Sequence, residues 1–207
     1  GNIINPLLSL ADKEVYSVPI LFVVGWRGEP GVQDEPQHMK QGRVTLSLLE
    51  TMEIDYGILD GDPNESRQVI TKALKRVVHE QAVHVLVVKK GVFDGYEGTS
   101  RDDNRRLNRE WVIQQIVGAL SQETIVVSTT GKASRELFEC REARGDGHER
   151  DFLTVGGMGH ASQIALGIAL QKPLQPVVCI DGDGAALMHL GSIAINGTLG
   201  PKNFKHI

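Results

Sequence analysis

The sequence contains few of the residues that identify several common protein classes. Only two cysteines occur among 207 residues, Cys140 and Cys179, and they lack the spacing of a metal site. Cys179 lies within an apolar run and is predicted to be a small buried hydrophobic residue. So few cysteines exclude a disulfide scaffold and fit a reducing compartment, which predicts a cytoplasmic protein.

Charge and hydrophobicity exclude two further classes. The net charge is −4 and the basic residues are not gathered into one stripe, so no nucleic-acid partner is predicted. No apolar run approaches the roughly 20 residues that a membrane-spanning helix needs, so no membrane span is predicted either. The hydrophobic content of 41% instead suits a globular protein of one or two domains with its own core.

Apolar runs typical of buried strands alternate with amphipathic helical patterns. The run at residues 18–24 is continuous, so this strand is expected to be covered on both faces. Asp62-Pro63 predicts a helix start, because Asp can cap a helix and Pro fits its first turn. The other predicted strands are residues 84–88, 124–128 and 176–180. The predicted helices are residues 35–52, about 62–78, 111–120, 133–141 and 159–170, with another from about Ala185.

A polar, glycine-containing segment at residues 93–106 interrupts this alternation and is predicted to be a linker. It separates two α/β modules, residues 1–92 and 107–207. Strands that alternate with helices predict a parallel sheet with helices on both faces in each module.

The sharpest local pattern is Asp181-Gly182-Asp183-Gly184, which follows a strand and leads into a helix. Open α/β sheets bind ligands at the carboxyl ends of their strands. Glycines there let a phosphate approach the backbone, and a carboxylate can bind Mg²⁺. The pattern therefore indicates a metal–diphosphate site or, alternatively, an ordinary turn whose Asp caps the next helix.

Two further strand–turn–helix segments are rich in small residues, at residues 128–136 and 154–161. Successive strand ends of a parallel sheet face one crevice. The three turns together predict a cradle for a large phosphorylated cofactor. The alternative is that the glycines serve only the turns that every α/β fold contains.

These segments resemble the thiamine-diphosphate-dependent 2-oxoacid decarboxylases and, more narrowly, the phosphonopyruvate decarboxylases, with the sulfopyruvate decarboxylases as close relatives. The Gly-Asp-Gly turn marks the cofactor class, whereas the Gly-Trp-Arg-Gly-Glu-Pro-Gly loop marks the narrower family. The segments that carry the resemblance are residues 25–31, 34–38, 134–137, 151–161 and 181–185.

The resemblance implies a pyrimidine-binding module followed by a diphosphate-binding module, each incomplete. It implies that Asp183 ligates an Mg²⁺ that bridges the two phosphates of thiamine diphosphate. Our candidates for contact with the anionic group of the substrate are Arg27 and His160. The residues implied to lie against the cofactor are Gly131, Lys132, Ser134, Gly157, Met158, Gly182, Asp183, Gly184 and Ala185.

The implied activity is that of a carbon–carbon lyase acting on a small anionic 2-oxoacid. The reaction would convert 3-phosphonopyruvate to phosphonoacetaldehyde in a homo-oligomer. Alternatives with the same cofactor are a sulfopyruvate decarboxylase and an acetolactate-synthase-like carboligase. A non-catalytic protein that retains the fold is a further alternative, whereas a Rossmann dehydrogenase is disfavoured because no Gly-x-Gly-x-x-Gly opens a first βαβ unit.

Two elements of the family pattern are expected outside the sequence. The glutamate that activates the cofactor is expected upstream of Gly1, and an Asn-Asn pair that completes the Mg²⁺ shell is expected beyond Ile207. The chain is therefore expected to be truncated at both ends. We expect the isolated chain to be inactive and poorly soluble, because sheet edges and core would be exposed.

Overall fold

The computed structural model describes residues 3–96, 98 and 107–207. The chain divides into two compact units, residues 1–99 and 100–207. Most of the predicted linker, residues 97 and 99–106, lies outside the described part of the chain.

The first unit contains a three-stranded parallel sheet in the order β1-β3-β2. Its strands are β1 (Ile20–Gly25), β2 (Asp55–Leu59) and β3 (Val83–Val88). Its helices are α1 (Ile4–Pro6), which continues into a π-helical turn at Leu7–Ala11, α2 (Pro36–Thr51) and α3 (Pro63–His79). The predicted cap of α3 is confirmed, since the Asp62 carboxylate accepts hydrogen bonds from the backbone N–H groups of Asn64 and Glu65.

Apolar cores cover both faces of this sheet. Alternate residues of the central strand β3 point to opposite faces: Val85 and Val87 pack with α2, and Leu86 packs with α3. The expectation that β1 is covered on both faces is wrong for its second half. Val23, in the edge strand β1, is 60% exposed.

The second unit contains a four-stranded parallel sheet in the order β5-β4-β6-β7. Its strands are β4 (Ile125–Ser128), β5 (Asp151–Leu153), β6 (Val177–Ile180) and β7 (Phe204–His206). Its helices are α4 (Arg109–Ala119), α5 (Lys132–Arg144), α6 (Ala161–Gln171), α7 (Asp183–Met188) and α8 (Gly191–Leu199).

The sheet of the second unit is also covered on both faces. Val126 and Val178 pack under α4 and α5, whereas Val127 and Cys179 pack under α6. The predicted α/β class with parallel sheets is thus confirmed. Cys179 is a core residue as predicted, and burial raises the pKa of its thiol to about 12. Among the described residues, no helix is both long and apolar enough to cross a bilayer.

A buried histidine lies in the central strand of the first unit. His84 is 3% exposed, and its Nδ1 has no hydrogen-bond partner among the residues that the structure describes. Burial lowers the pKa of this imidazole below its usual 6.5, and the nearby Asp55 only partly opposes that shift. The unfolded state therefore binds more protons than the folded state once the pH falls below 6.5.

We expect this difference to make the stability depend on pH. The contribution of neutral His84 is fully present above the unfolded pKa and is lost as the pH falls towards the lower, folded pKa. The urea midpoint should therefore fall between about pH 7.5 and about pH 5.5 more steeply in the wild type than in His84→Gln. His79→Gln, on the exposed end of α3, is the matched control. Equal slopes in the wild type and His84→Gln would contradict the prediction.

Candidate cofactor site

Three loops meet at the carboxyl ends of neighbouring strands in the second unit. Residues 129–131 follow β4, residues 154–160 follow β5, and residues 181–182 follow β6. Because the strands are parallel and adjacent in the order β5-β4-β6, the three turns emerge at one edge of the sheet. The turns that were singled out in the sequence therefore lie together.

Direct contacts tie these loops to one another. The Thr130 hydroxyl donates to the carbonyl of Val155 over 2.6 Å, which links the β4 and β5 loops. The Thr154 hydroxyl donates to the carbonyl of Ser128 over 2.7 Å and adds a second link. Across the site, a Cβ at Gly184 would lie 3.3 Å from Cε of Met158, so the β5 loop also touches the start of α7.

Asp183 presents an available carboxylate oxygen at this edge. The side chain is exposed, and its Oδ1 accepts a hydrogen bond from the N–H of Gly184 over 2.8 Å. In the described part of the chain, its Oδ2 has no partner. This oxygen is a suitable hard ligand for Mg²⁺.

The β4 loop offers groups that suit a phosphate. A Cβ at Gly131 would meet no atom within 4 Å, so the space in front of this backbone is open. Lys132 is exposed at the start of α5 and forms no ion pair with any described residue. The hydroxyl of Ser134 is less available, because it donates to the carbonyl of Thr129 over 2.7 Å.

Sequence reasoning missed Thr129, which lies beside these groups. The residue is 5% exposed, and its hydroxyl has no hydrogen-bond partner among the residues described. A buried, unsatisfied hydroxyl is costly unless a ligand or water completes it. A single threonine after a strand has no sequence signature, so only the structure reveals it.

The aspartate that precedes the turn has a different environment from Asp183. The Asp181 side chain is 5% exposed, and its Oδ2 lies 3.2 Å from Nε2 of His206. Nδ1 of His206 faces the amide nitrogen of Asn196 at 3.3 Å, and the amide oxygen of Asn196 accepts from Gln163 over 2.6 Å. A neutral His206 with its proton on Nε2 satisfies every link of this chain, with all donors directed towards Asp181.

The remaining residues predicted for the cofactor lie on the same loops. Gly157 and Met158 are exposed on the β5 loop, and Met158 is 42% exposed. Ala185, at 2% exposed, is buried in the first turn of α7. His160 immediately precedes α6, and its ring centroid lies 4.5 Å from that of His189, which the sequence did not single out.

Arg27 belongs to the first unit and is bound within its own loop. Its Nε and Nη2 donate to the two carboxylate oxygens of Asp34 over 2.8 and 2.6 Å. Asp34 also accepts from the backbone N–H groups of Gly28 and Glu35, both over 2.7 Å. The bonds from Arg27, with these backbone bonds, hold the pKa of Asp34 well below its usual range.

Comparisons with known proteins give the same cofactor class. Residues 129–202, which contain all three loops, match the model of the thiamine pyrophosphate enzyme, C-terminal TPP binding domain. Phosphonopyruvate decarboxylase of Streptomyces viridochromogenes is 32% identical over all of this chain and 54% of its own length. The enzyme of the same name from Streptomyces hygroscopicus is 33% identical with the same coverage.

The chain is a homologue of the phosphonopyruvate decarboxylases. The resemblance recognised in the sequence is thus confirmed, and it extends over the whole chain. The chain spans about half the length of these relatives. Sulfopyruvate decarboxylase subunit beta of Methanocaldococcus jannaschii is also similar, with 41% identity over 45% of this chain and 46% of that protein.

We expect the chain of hydrogen bonds at Asp181 to stabilise the second unit. His206→Phe keeps an aromatic ring next to Phe204 but removes the partner of Asp181 Oδ2 and of the amide nitrogen of Asn196. An unsatisfied buried polar group costs on the order of 1–3 kcal/mol. The free energy of unfolding of this unit should therefore fall by about that amount.

Urea unfolding followed by circular dichroism measures the effect. Lys205→Ala, at the neighbouring exposed position of β7, is the control and should change the midpoint little. A midpoint for His206→Phe equal to that of the control would contradict the role assigned to this chain.

Proposed function

We propose that the protein decarboxylates 3-phosphonopyruvate to phosphonoacetaldehyde with thiamine diphosphate and Mg²⁺. The observation that carries the proposal is the meeting of three loops around the exposed carboxylate of Asp183, within a segment that matches a TPP-binding domain. Similarity to phosphonopyruvate decarboxylases over the whole chain supports the choice of substrate.

The residues of the β4 and β6 loops fit a metal-bound diphosphate. Asp183 would contribute a carboxylate oxygen to Mg²⁺, and Lys132 would offset phosphate charge. The unpaired hydroxyl of Thr129 and the open backbone at Gly131 would hydrogen-bond phosphate oxygens. Gly182 and Gly184 would keep the turn free of side chains where the phosphates approach. Ser134 and Ala185, which are both buried, would support these loops from the protein interior.

The β5 loop would hold the rings of the cofactor. Met158 is an exposed apolar side chain against Gly184, so it can support a ring next to the diphosphate, and the backbone of Gly157 lies beside it. Thiamine diphosphate, when bound, supplies the electron sink for loss of carbon dioxide. The protein's part is to orient the substrate, exclude water and offset its charge.

The substrate carries a carboxylate and a phosphonate, and both need cationic or hydrogen-bonding partners. His160 lies on the β5 loop directly after the segment proposed for the cofactor. Arg27 shares two of its nitrogens with Asp34, which leaves Nη1 to meet an anion. We therefore propose His160 as the more available of the two.

The division into two units suits the proposed assembly. We propose that residues 1–92 are part of a pyrimidine-binding module and residues 107–207 part of a diphosphate-binding module. We further propose that the protein acts as a homo-oligomer. Several relatives are named as the beta subunit of a sulfopyruvate decarboxylase, a name that implies assembly in those proteins.

Calorimetric titration with thiamine diphosphate, with and without Mg²⁺, tests the cofactor proposal in the full-length protein. We expect Mg²⁺-dependent binding that weakens by at least about 10- to 100-fold in Asp183→Ala, since even residues that only support a metal ligand cost that much. Glu139→Gln, an exposed carboxylate on α5, is the matched control and should bind like the wild type.

Binding that is equal in Asp183→Ala and the wild type would contradict the proposed metal ligand. The substrate is tested separately by carbon dioxide release from 3-phosphonopyruvate and from sulfopyruvate. A higher kcat/KM for sulfopyruvate than for 3-phosphonopyruvate would overturn the substrate assignment and leave the cofactor assignment intact.

A further inference from the structure

We propose that His189 and His160 together form a subsite for the doubly charged phosphonate group of the substrate. The inference rests on the proposed function and deepens it, because it names the groups that distinguish a phosphonate from a sulfonate. The two imidazole rings have centroids 4.5 Å apart and planes inclined by 59°.

The β5 loop is shaped to let His189 approach. Gly159, which is buried and directly precedes His160, has φ +87°, a conformation that residues with side chains rarely adopt. A Cβ at this position would lie 2.5 Å from Cδ2 of His189 and 3.0 Å from the carbonyl oxygen of Ala185. Any larger residue would push the His189 ring and the β5 loop apart.

The backbone contact of His160 determines which of its ring nitrogens carries a proton. Its Nδ1 lies 2.9 Å from the carbonyl oxygen of Gly157, which can only accept a hydrogen bond. The Nδ1 therefore carries a proton, and Nε2 is the atom that remains for a ligand. The side chain is exposed, and Nε2 would donate a hydrogen bond to a bound anion when this nitrogen also carries a proton.

His160 and His189 differ from three other histidines of the chain, each of which lies next to a carboxylate. His38, His148 and His206 each lie within hydrogen-bond distance of a carboxylate, on Asp34, Glu142 and Asp181 respectively. Neither His160 nor His189 has such a carboxylate among the described residues. When these two rings are protonated, their charge is therefore left for a ligand.

The pair lies on two segments that lead from the proposed cofactor site. Met158, which touches the Gly-Asp-Gly turn at Gly184, precedes His160 by two residues. His189 directly follows α7, the helix that begins with Asp183. The pair thus borders the proposed cofactor site on the side of the β5 loop and α7.

The chemistry of two adjacent imidazoles selects for a dianion. Two imidazolium groups at this separation repel each other, and an anion that binds to both rings offsets that repulsion. A phosphonate with two negative charges does so better than a sulfonate with one. The pair should therefore contribute to discrimination between the two substrates as well as to affinity.

The test compares substrates in the full-length enzyme saturated with thiamine diphosphate and Mg²⁺. In His189→Gln we expect KM for 3-phosphonopyruvate to rise about 10- to 100-fold, the effect of losing one charge-assisted hydrogen bond. We also expect the preference for 3-phosphonopyruvate over sulfopyruvate, measured as a ratio of kcat/KM, to fall. His148→Gln, which removes an imidazole elsewhere in the same unit, should leave both values unchanged.

A second readout does not depend on turnover. In the wild type, addition of methylphosphonate should shift the imidazole nitrogen resonances of His160 and His189 but not those of His148. Thiamine diphosphate binding, measured in the same samples, tests the proposed function separately from the subsite. If the wild type does not bind thiamine diphosphate, the proposed function is overturned. Cofactor binding without these shifts, or an unchanged substrate preference in His189→Gln, overturns only the subsite.

Discussion

The candidate cofactor site depends on the parallel alignment of β4 between β5 and β6. Hydrogen bonds along the strands place Ser128 opposite Leu153 on one side and opposite Ile180 on the other. The ladder continues one residue further, since the N–H of Thr129 donates to the carbonyl of Ile180 over 2.8 Å. This register brings three loops that are distant in sequence to one edge of the sheet. Buried apolar residues on both faces make the register hard to change, because a slip of one residue would move each side chain to the opposite face and disrupt both cores.

Much of this arrangement is predictable from local sequence. Continuous apolar runs predict β4 and β6, and the Asp-Pro dipeptide predicts the start of α3, because each signal lies within the segment itself. The strands β2, β5 and β7 were missed. β5 and β7 have only three residues each, and β2 contains an aspartate and a glycine within five residues. Such short or mixed segments become strands through their neighbours rather than their own composition.

The candidate site also combines features that local sequence predicts with features that only the structure reveals. Glycine-rich turns and Asp183 are visible in the sequence as a motif, and the structure places them together. Thr129, His189 and the chain from Asp181 to Gln163 are not visible, because each depends on contacts between residues far apart in sequence. The two aspartates of the motif also separate only in the structure: Asp181 is buried and paired, whereas Asp183 is exposed with an available oxygen.

We propose that thiamine diphosphate binds at the carboxyl edge of the second sheet. Hydrogen–deuterium exchange of the full-length protein, with and without thiamine diphosphate and Mg²⁺, tests it directly because it locates the ligand without relying on activity. We predict slower exchange within residues 129–135, 154–161 and 181–188, and no change within residues 145–150 at the opposite edge. Protection of residues 145–150 in place of the three loops, or no protection under conditions where the cofactor binds, would contradict this location of the cofactor site.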